Sequence, residues 1–311
     1  MGFTAKDVQN LRAMTGVGMM DCKKALAASD GDIDKAIEFL REKGLAAAQK
    51  KASRIAAEGI VTAIVENGVG AIVEVNSETD FVAKNEVFRS FVLDVAKVVA
   101  AQNPADLDTL MEMNYPGTDM TITQALQEKI LVIGENLKVR RFARYSEGIN
   151  VAYIHGGGRI GVLVNLKVSD NIKDDSAIQE LGKDIAMQAA SMRPLYLDSS
   201  VVPAEELKKE EEIQYTKAIE ENKARNMDEA KAAQIAKNMV KGRINKYFEE
   251  VCLLNQPFIK ENKISVGQHV ANTAKELGGE IAVTGFVRFE KGEGLEKRVD
   301  NFADEVASLT K

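Results

Sequence analysis

Along Gly59 to Val75, apolar residues fall at alternate positions, with Val69, Ala71, Val73 and Val75 in one register. That period predicts a strand with one buried face, and Asn67-Gly68 within the run is a hairpin turn signal. From Phe88 the period lengthens: Phe88, Phe91, Val92, Val95 and Val99 recur at three and four, the stripe of an amphipathic helix. Ser77-Glu78-Thr79-Asp80 lies between the two patterns, and its side chains can cap a helix amino terminus. The long helix is therefore expected from Asp80, with Asp80 and Phe81 at a strand-to-helix corner, at or inside the first turn. Two readings of that corner compete. One is a cap with a staple phenylalanine tucked against its own domain; the other is an acidic and aromatic tip offered to a partner.

The same reading divides the rest of the chain. Residues 1–54 form three short helices: one capped by Thr4 and Asp7 with Val8 and Leu11 inside, one over Met19 to Ala28, and one from near Asp32 that stops at Gly44. Adjacent Met19 and Met20 cannot both face one core, so either one is buried and one half exposed, or the pair is a soft contact patch. Residues 55–147 read as an α+β layer that continues through a helix from Thr121 to Ile133, ended by Gly134, to a strand up to Tyr145. Strands over Asn150–His155 and Arg159–Val168, then a helix from Ala177 to Met192, repeat the order of hairpin and helix. Residues 204–248 break the composition. Between Glu205 and Arg243 acidic and basic residues are equally frequent, which predicts an exposed antiparallel coiled-coil hairpin. Asn226 is its expected second cap, and Ile235, Met239, Val240, Ile244 and Phe248 its buried stripe. After it come an apolar turn at 254–259, a helix over Val266–Leu277, a strand over Ile281–Phe289 and a final helix over Val299–Leu309. The expected division is 1–54, 55–147, 148–203 with 249–290, the inserted hairpin 204–248, and a C-terminal helical module 291–311.

Composition narrows the function classes. At 311 residues the chain can bury two or more cores, and its net charge of −6 with 5% aromatics and no Trp argues against a direct nucleic-acid platform. No apolar run is long enough to span a membrane, and the amino terminus lacks a secretory core, so a cytoplasmic protein with reduced thiols is expected. Cys22, Cys252, His155 and His269 offer no metal-ligand spacing, and no metal or cofactor is expected. Gly156, Gly158 and Gly161 match a dinucleotide fingerprint formally, but a β-branched run follows where that motif needs a helix; a hairpin turn is expected instead. No nucleophile has an activated context, so the sequence offers no catalytic constellation of its own, and a small-ligand enzyme using the Gly-rich loop stays as a lesser alternative.

Six ordered stretches then carry a resemblance. Leu11-Arg12 with Thr15-Gly16-Val17-Gly18-Met19-Met20-Asp21-Cys22-Lys23-Lys24-Ala25-Leu26 resembles the amino-terminal signature of bacterial translation elongation factor Ts, and Glu74 to Asn85 its second signature. Ile133-Gly134-Glu135-Asn136, His155 to Val164, Gln256-Pro257-Phe258 and Val283 to Phe289 are similar to that family in the same order. The glycine run after His155 is one residue longer than in the family pattern, and Lys260 stands where an apolar residue is usual. The resemblance implies a UBA-like amino-terminal domain, two related α+β halves, an inserted coiled coil, and guanine nucleotide exchange on elongation factor Tu. Under it, Thr79, Asp80, Phe81 and Val82 would disturb the partner's Mg²⁺ and phosphate site. Arg12, Met19, Met20 and Lys23 would touch the same nucleotide-binding domain, Ile133, Gly134 and His155 would sit beside the Asp80-Phe81 tip as further partner-binding residues, and Ile259 would touch a second domain. An RNA- or ribosome-associated module without exchange activity is the alternative. Association of two copies, as a homodimer or a dimer of heterodimers, stays open.

Overall fold

The computed structural model describes residues 2–225 and 228–296, and they separate into two compact units. The first holds residues up to Ser146, residues 154–161 and the described residues from Phe289; the second holds 147–153 and 162–288.

The first unit opens with α1 (Ala5–Thr15), α2 (Met19–Ala28) and α3 (Ile33–Lys51). Thr4 and Asp7 close a capping box on α1, and Gly16 ends it in the left-handed conformation, as their local chemistry requires. Val8, Leu11, Cys22, Leu26 and Leu40 form the helical core. Gly44 does not end α3. It lies buried in mid-helix, where a Cβ would stand 3.3 Å from the Gln127 carbonyl oxygen, so the glycine allows close helix packing rather than termination.

Next come β1 (Glu58–Glu66), β2 (Val69–Ser77), α4 (Glu86–Gln102), α5 (Leu107–Glu112), α6 (Ile122–Ile133) and β3 (Lys138–Tyr145). The strands form an antiparallel sheet in the order β1-β2-β3, and Asn67 and Gly68 both take positive φ at the tight turn between the first two. α4 lays Phe88, Phe91, Val92 and Val95 on this sheet, each worth about 1.5–3 kcal/mol of burial. The expectation of one buried face on β2 fails. Ala71 to Ser77 are all buried, because β2 is the central strand and both of its faces are covered. Glu74 is thereby enclosed, with Arg140 at 3.0 Å, Arg141 at 2.6 Å and the Gly292 amide at 2.8 Å.

The remaining elements are β4 (Ile149–His155), β5 (Ile160–Val168), α7 (Ser176–Met192), α8 (Ala204–Ala224), α9 (Glu229–Val251), β6 (Pro257–Phe258), β7 (Glu261–Ser265), α10 (Val266–Leu277) and β8 (Ile281–Glu290). The second three-stranded sheet has the order β4-β5-β8, so α8 and α9 interrupt the path from α7 to its last strand. These two helices run antiparallel: the Asn222 amide donates to Ala232 O at 3.1 Å near the tip, and the Tyr247 hydroxyl to Glu206 at 2.8 Å near the base. The close-packed residues between them are small, Ala218, Ala232 and Ala236, with Ile244; Ile235, Met239, Val240 and Phe248 of the expected stripe are half-buried. Asp228 caps α9, and the expected cap Asn226 lies outside the described residues, as does the expected helix 299–309. The architecture is α+β with small antiparallel sheets.

Candidate partner-binding site

Between β2 and α4 the chain turns through Glu78–Asn85, and α4 starts at Glu86, later than the expected Asp80. The physical reason is a better cap. The Asn85 side chain accepts from the amides of Val87 and Phe88, while Val82–Lys84 take a single 3₁₀ turn. Asp80 and Phe81 are therefore left on a loop ahead of the helix. Val82 and Ala83 are buried beneath it, and Phe81 is 78% exposed, which removes the staple reading.

Three groups shape the tip. Lys84 stands 3.2 Å from the Asp80 carboxylate and 5.8 Å from the centre of the Phe81 ring; both charged groups are exposed, so the pair is weak. Thr79 is held by Glu135, which accepts its amide at 2.9 Å and its hydroxyl at 2.6 Å. Arg89, one turn into α4, donates to the carbonyls of Ala83 at 3.3 Å and Gly157 at 3.2 Å. The first unit thus brings the tip together with Ile133-Gly134, immediately before Glu135, and with the His155–Arg159 turn. Gly156, Gly157 and Gly158 all have positive φ there, as a turn of three glycines allows and a helix start does not. A cavity of about 290 Å³ opens beside the tip, with Asp80, Lys84, Arg89, Gly157, Arg159 and Lys291 in its wall.

The other sequence-predicted residues lie elsewhere. Arg12, Met19, Met20 and Lys23 are exposed on α1 and α2, and Met19 (39%) and Met20 (63%) both face outward, against the reading in which one is buried. Ile259, in the second unit, is 44% exposed at the turn between β6 and β7, and its amide is held by the Gln188 side chain at 2.9 Å. Lys260 beside it pairs with Asp184 at 2.6 Å. Sequence reasoning missed Glu78, Glu135, Arg89 and Gln188 as supports. The signal available for Glu135 was its place directly after the Gly134 helix stop.

The chemistry on offer is recognition. Cys22 and Cys252 are buried, and burial pushes the Cys252 thiol up to about 11, away from the reactive thiolate. Among the described residues no group of three or more His, Cys, Asp or Glu is arranged to hold a metal ion, and no helix is long and apolar enough to cross a membrane. What stands out is an exposed aromatic and a carboxylate on a braced loop.

Comparison with known proteins narrows the meaning of that loop. A sequence profile of the family described as Elongation factor TS matches residues 78–293. The chain is 48% identical over 313 residues to Elongation factor Ts of Syntrophotalea carbinolica, covering 100% of each chain. It is 47% identical over 311 residues to that of Clostridium perfringens, covering 99% of each, and 48% identical over 310 residues to that of Symbiobacterium thermophilum, covering 98% of this chain and 97% of the relative. With the braced loop inside the matched span and the likeness running the whole length, the chain belongs to the elongation factor Ts family.

Proposed function

We propose that this protein is a guanine nucleotide exchange factor that acts on elongation factor Tu in the cytoplasm, promoting release of GDP so that GTP can bind. The observation that carries the proposal is Phe81, a large apolar ring held in water on a loop braced at both ends. A ring so placed contributes nothing to its own core and is suited to an apolar pocket on a partner. In this reading Thr79–Val82 carry the contact: Phe81 enters the partner's nucleotide-binding domain as a wedge, Asp80 stands near the Mg²⁺ and phosphate site, and Thr79 and the buried Val82 hold the loop on either side. Displacing Mg²⁺ removes the charge that neutralises the diphosphate, which weakens GDP. Arg12, Met19, Met20, Lys23, Ile133, Gly134 and His155 extend the contact, and Ile259 reaches a second domain.

No covalent step is needed from the factor. Binding the nucleotide-poor partner more tightly than the GDP-bound one is sufficient, and by reciprocity saturating GDP expels the factor. The test is release of fluorescent GDP from purified elongation factor Tu with the protein at catalytic concentration, alongside Phe81→Ala and Asp80→Ala, each checked for folding by circular dichroism. Strong acceleration that falls in Phe81→Ala supports both the function and the tip. Acceleration untouched by either change moves the mechanism to the His155 and Ile133 surface, and no acceleration overturns the function.

A further inference from the structure

Two short stretches, far apart in sequence, satisfy each other's backbone donors. Glu78 accepts the Asn136 amide at 2.6 Å, while Glu135 accepts both the amide and the hydroxyl of Thr79, at 2.9 and 2.6 Å. Each pair, Glu78-Thr79 and Glu135-Asn136, thus offers a carboxylate to an amide of the other, the logic of a capping box closed across the fold instead of along one helix. Charge-assisted bonds of this kind are the stronger class, and here Glu78, Thr79 and Glu135 are half-buried and Asn136 is buried. Both stretches have further ties. Glu78 also meets Arg54 at 3.4 Å, and the Asn136 side chain donates to the Arg54 carbonyl at 2.8 Å. Gly134, left-handed at φ 86°, ends α6 and turns the chain into Glu135.

The clamp sits one residue before the exposed tip. Past it, the Asp80 carboxylate meets Lys84, an exposed neighbour four residues along, and Phe81 is largely in solvent. The next firm hold is the buried pair Val82 and Ala83, with Arg89 on the Ala83 carbonyl. Asp80 and Phe81 therefore span the gap between two anchors. A two-point bond to Thr79, through both its amide and its hydroxyl, sets the direction in which the chain enters that gap.

We infer that Glu135 is a positioning residue for nucleotide exchange: acting through Thr79, it sets where Asp80 and Phe81 stand before the partner arrives. The inference rests on the function proposed above. Pre-set geometry matters most at the rate-determining arrangement, since a displacement of about 1 Å can cost up to about a hundredfold in rate. Binding is spread over many contacts and depends far less on one loop's direction.

The experiment uses the full chain as wild type, Glu135→Ala, Glu135→Gln, Thr79→Val and the Glu135→Ala/Thr79→Val double variant. GDP release from elongation factor Tu is titrated with factor to give the maximal rate and the half-saturating concentration, and thermal midpoints are recorded. Glu135→Ala is expected to lower the maximal rate about tenfold while half-saturation moves by less than about twofold. Glu135→Gln keeps an acceptor for the Thr79 amide and should lose less. The double variant should lose no more than Glu135→Ala, because both changes break one interaction. If Glu135→Ala is unfolded at the assay temperature, Thr79→Val and Glu135→Gln carry the same comparison. A Glu135→Ala protein at the wild-type maximal rate, losses that multiply in the double variant, or a loss seen in half-saturation alone would each overturn the inference while leaving exchange intact. A wild-type chain that fails to accelerate release overturns the proposed function, and this inference with it.

Discussion

The two halves of the core are built to one plan, and they differ where the plan leaves room. In each, a hairpin leads to a 17-residue helix and then to a third strand, and the second strand of the hairpin is central in its sheet. The helices agree residue by residue. Phe88, Phe91, Val92, Val95, Ala96, Val98, Val99 and Ala100 are buried on α4, and Ile178, Leu181, Gly182, Ile185, Ala186, Gln188, Ala189 and Ala190 stand at the same positions on α7. Asn85 and Asp175 cap the two starts, and Asn103 and Arg193 close the two ends in the left-handed conformation. Counting back three residues from each cap reaches Val82 and Ile172, both buried. One position earlier the halves part. The second half has Asn171, whose amide donates to the Gly278 carbonyl at 3.0 Å, and the first half has Phe81 in solvent. A position that one copy uses to bond its own chain is used by the other to present an apolar ring. The scaffold does not require the ring, and that is the physical case for a function outside the chain.

The halves differ at two more places. Counted from the first residue of each strand, Glu74 on β2 corresponds to Asn165 on β5. The first is a buried charge bridged by Arg140 and Arg141, the second a neutral amide donating to the Glu147 carbonyl and the Asn150 side chain. Val98 corresponds to Gln188, whose amide donates to Gln256 and to the Pro257 carbonyl and whose oxygen accepts from Ile259. Polar groups thus enter the core where a turn or a neighbouring strand must be fixed, and apolar ones fill it elsewhere.

The largest expected effect breaks the first of these pairs. Glu74→Ala leaves two arginines facing an empty core position and should cost about 3–5 kcal/mol in denaturant unfolding, against about 1–3 kcal/mol for Asn165→Ala. Equal costs would show that the charge at Glu74 is not what distinguishes the halves. Next, Phe81→Asn installs the second half's residue in the first. It should lower the rate of GDP release by ten- to a hundredfold, about 1.4–2.7 kcal/mol, with the thermal midpoint unchanged. A lowered midpoint with normal exchange would return Phe81 to a structural role. Gln188→Val, the reverse exchange, strips the Ile259 amide and Gln256 of a shared partner. About 1–2 kcal/mol of stability should be lost in chemical denaturation, and affinity for elongation factor Tu should weaken more than the maximal exchange rate.

The smallest effect lies in the inserted helices, which the first half lacks. Glu206 accepts from the hydroxyls of Tyr196 at 2.5 Å and Tyr247 at 2.8 Å, and these bonds hold its carboxyl below the ordinary range while both tyrosines are raised. A lowered carboxyl contributes stability that is present above its unfolded-state value and is lost as pH falls through the folded-state one; the raised tyrosines contribute below their ordinary value near 10 and lose it as pH rises through the folded-state one. Thermal midpoints measured across the acid range should fall less steeply in Glu206→Gln than in wild type. Parallel slopes would mean that the carboxylate at the base of the helical pair does not set the acid sensitivity.

Much was legible in the sequence because its cause is local. The Thr4 capping box, the glycine stop at Gly134, the Asn67-Gly68 turn and the glycine turn after His155 each depend on residues within a few positions. Element order and the α+β class follow from such signals read in series. The family and the candidate site residues came instead through a resemblance of whole motifs. Tertiary structure decided what those residues do in space. Whether α4 starts at Asp80 or Glu86 turned on which cap the packed helix could use. Gly44 became a point of close approach because another helix lies across it, and Glu74 became a buried charge because β3 brought two arginines to it. The bracing of the tip depends on Glu135, 56 residues from Thr79. A hydrogen bond over that separation leaves no period or spacing in the chain, since its geometry exists only once sheet and helices have packed.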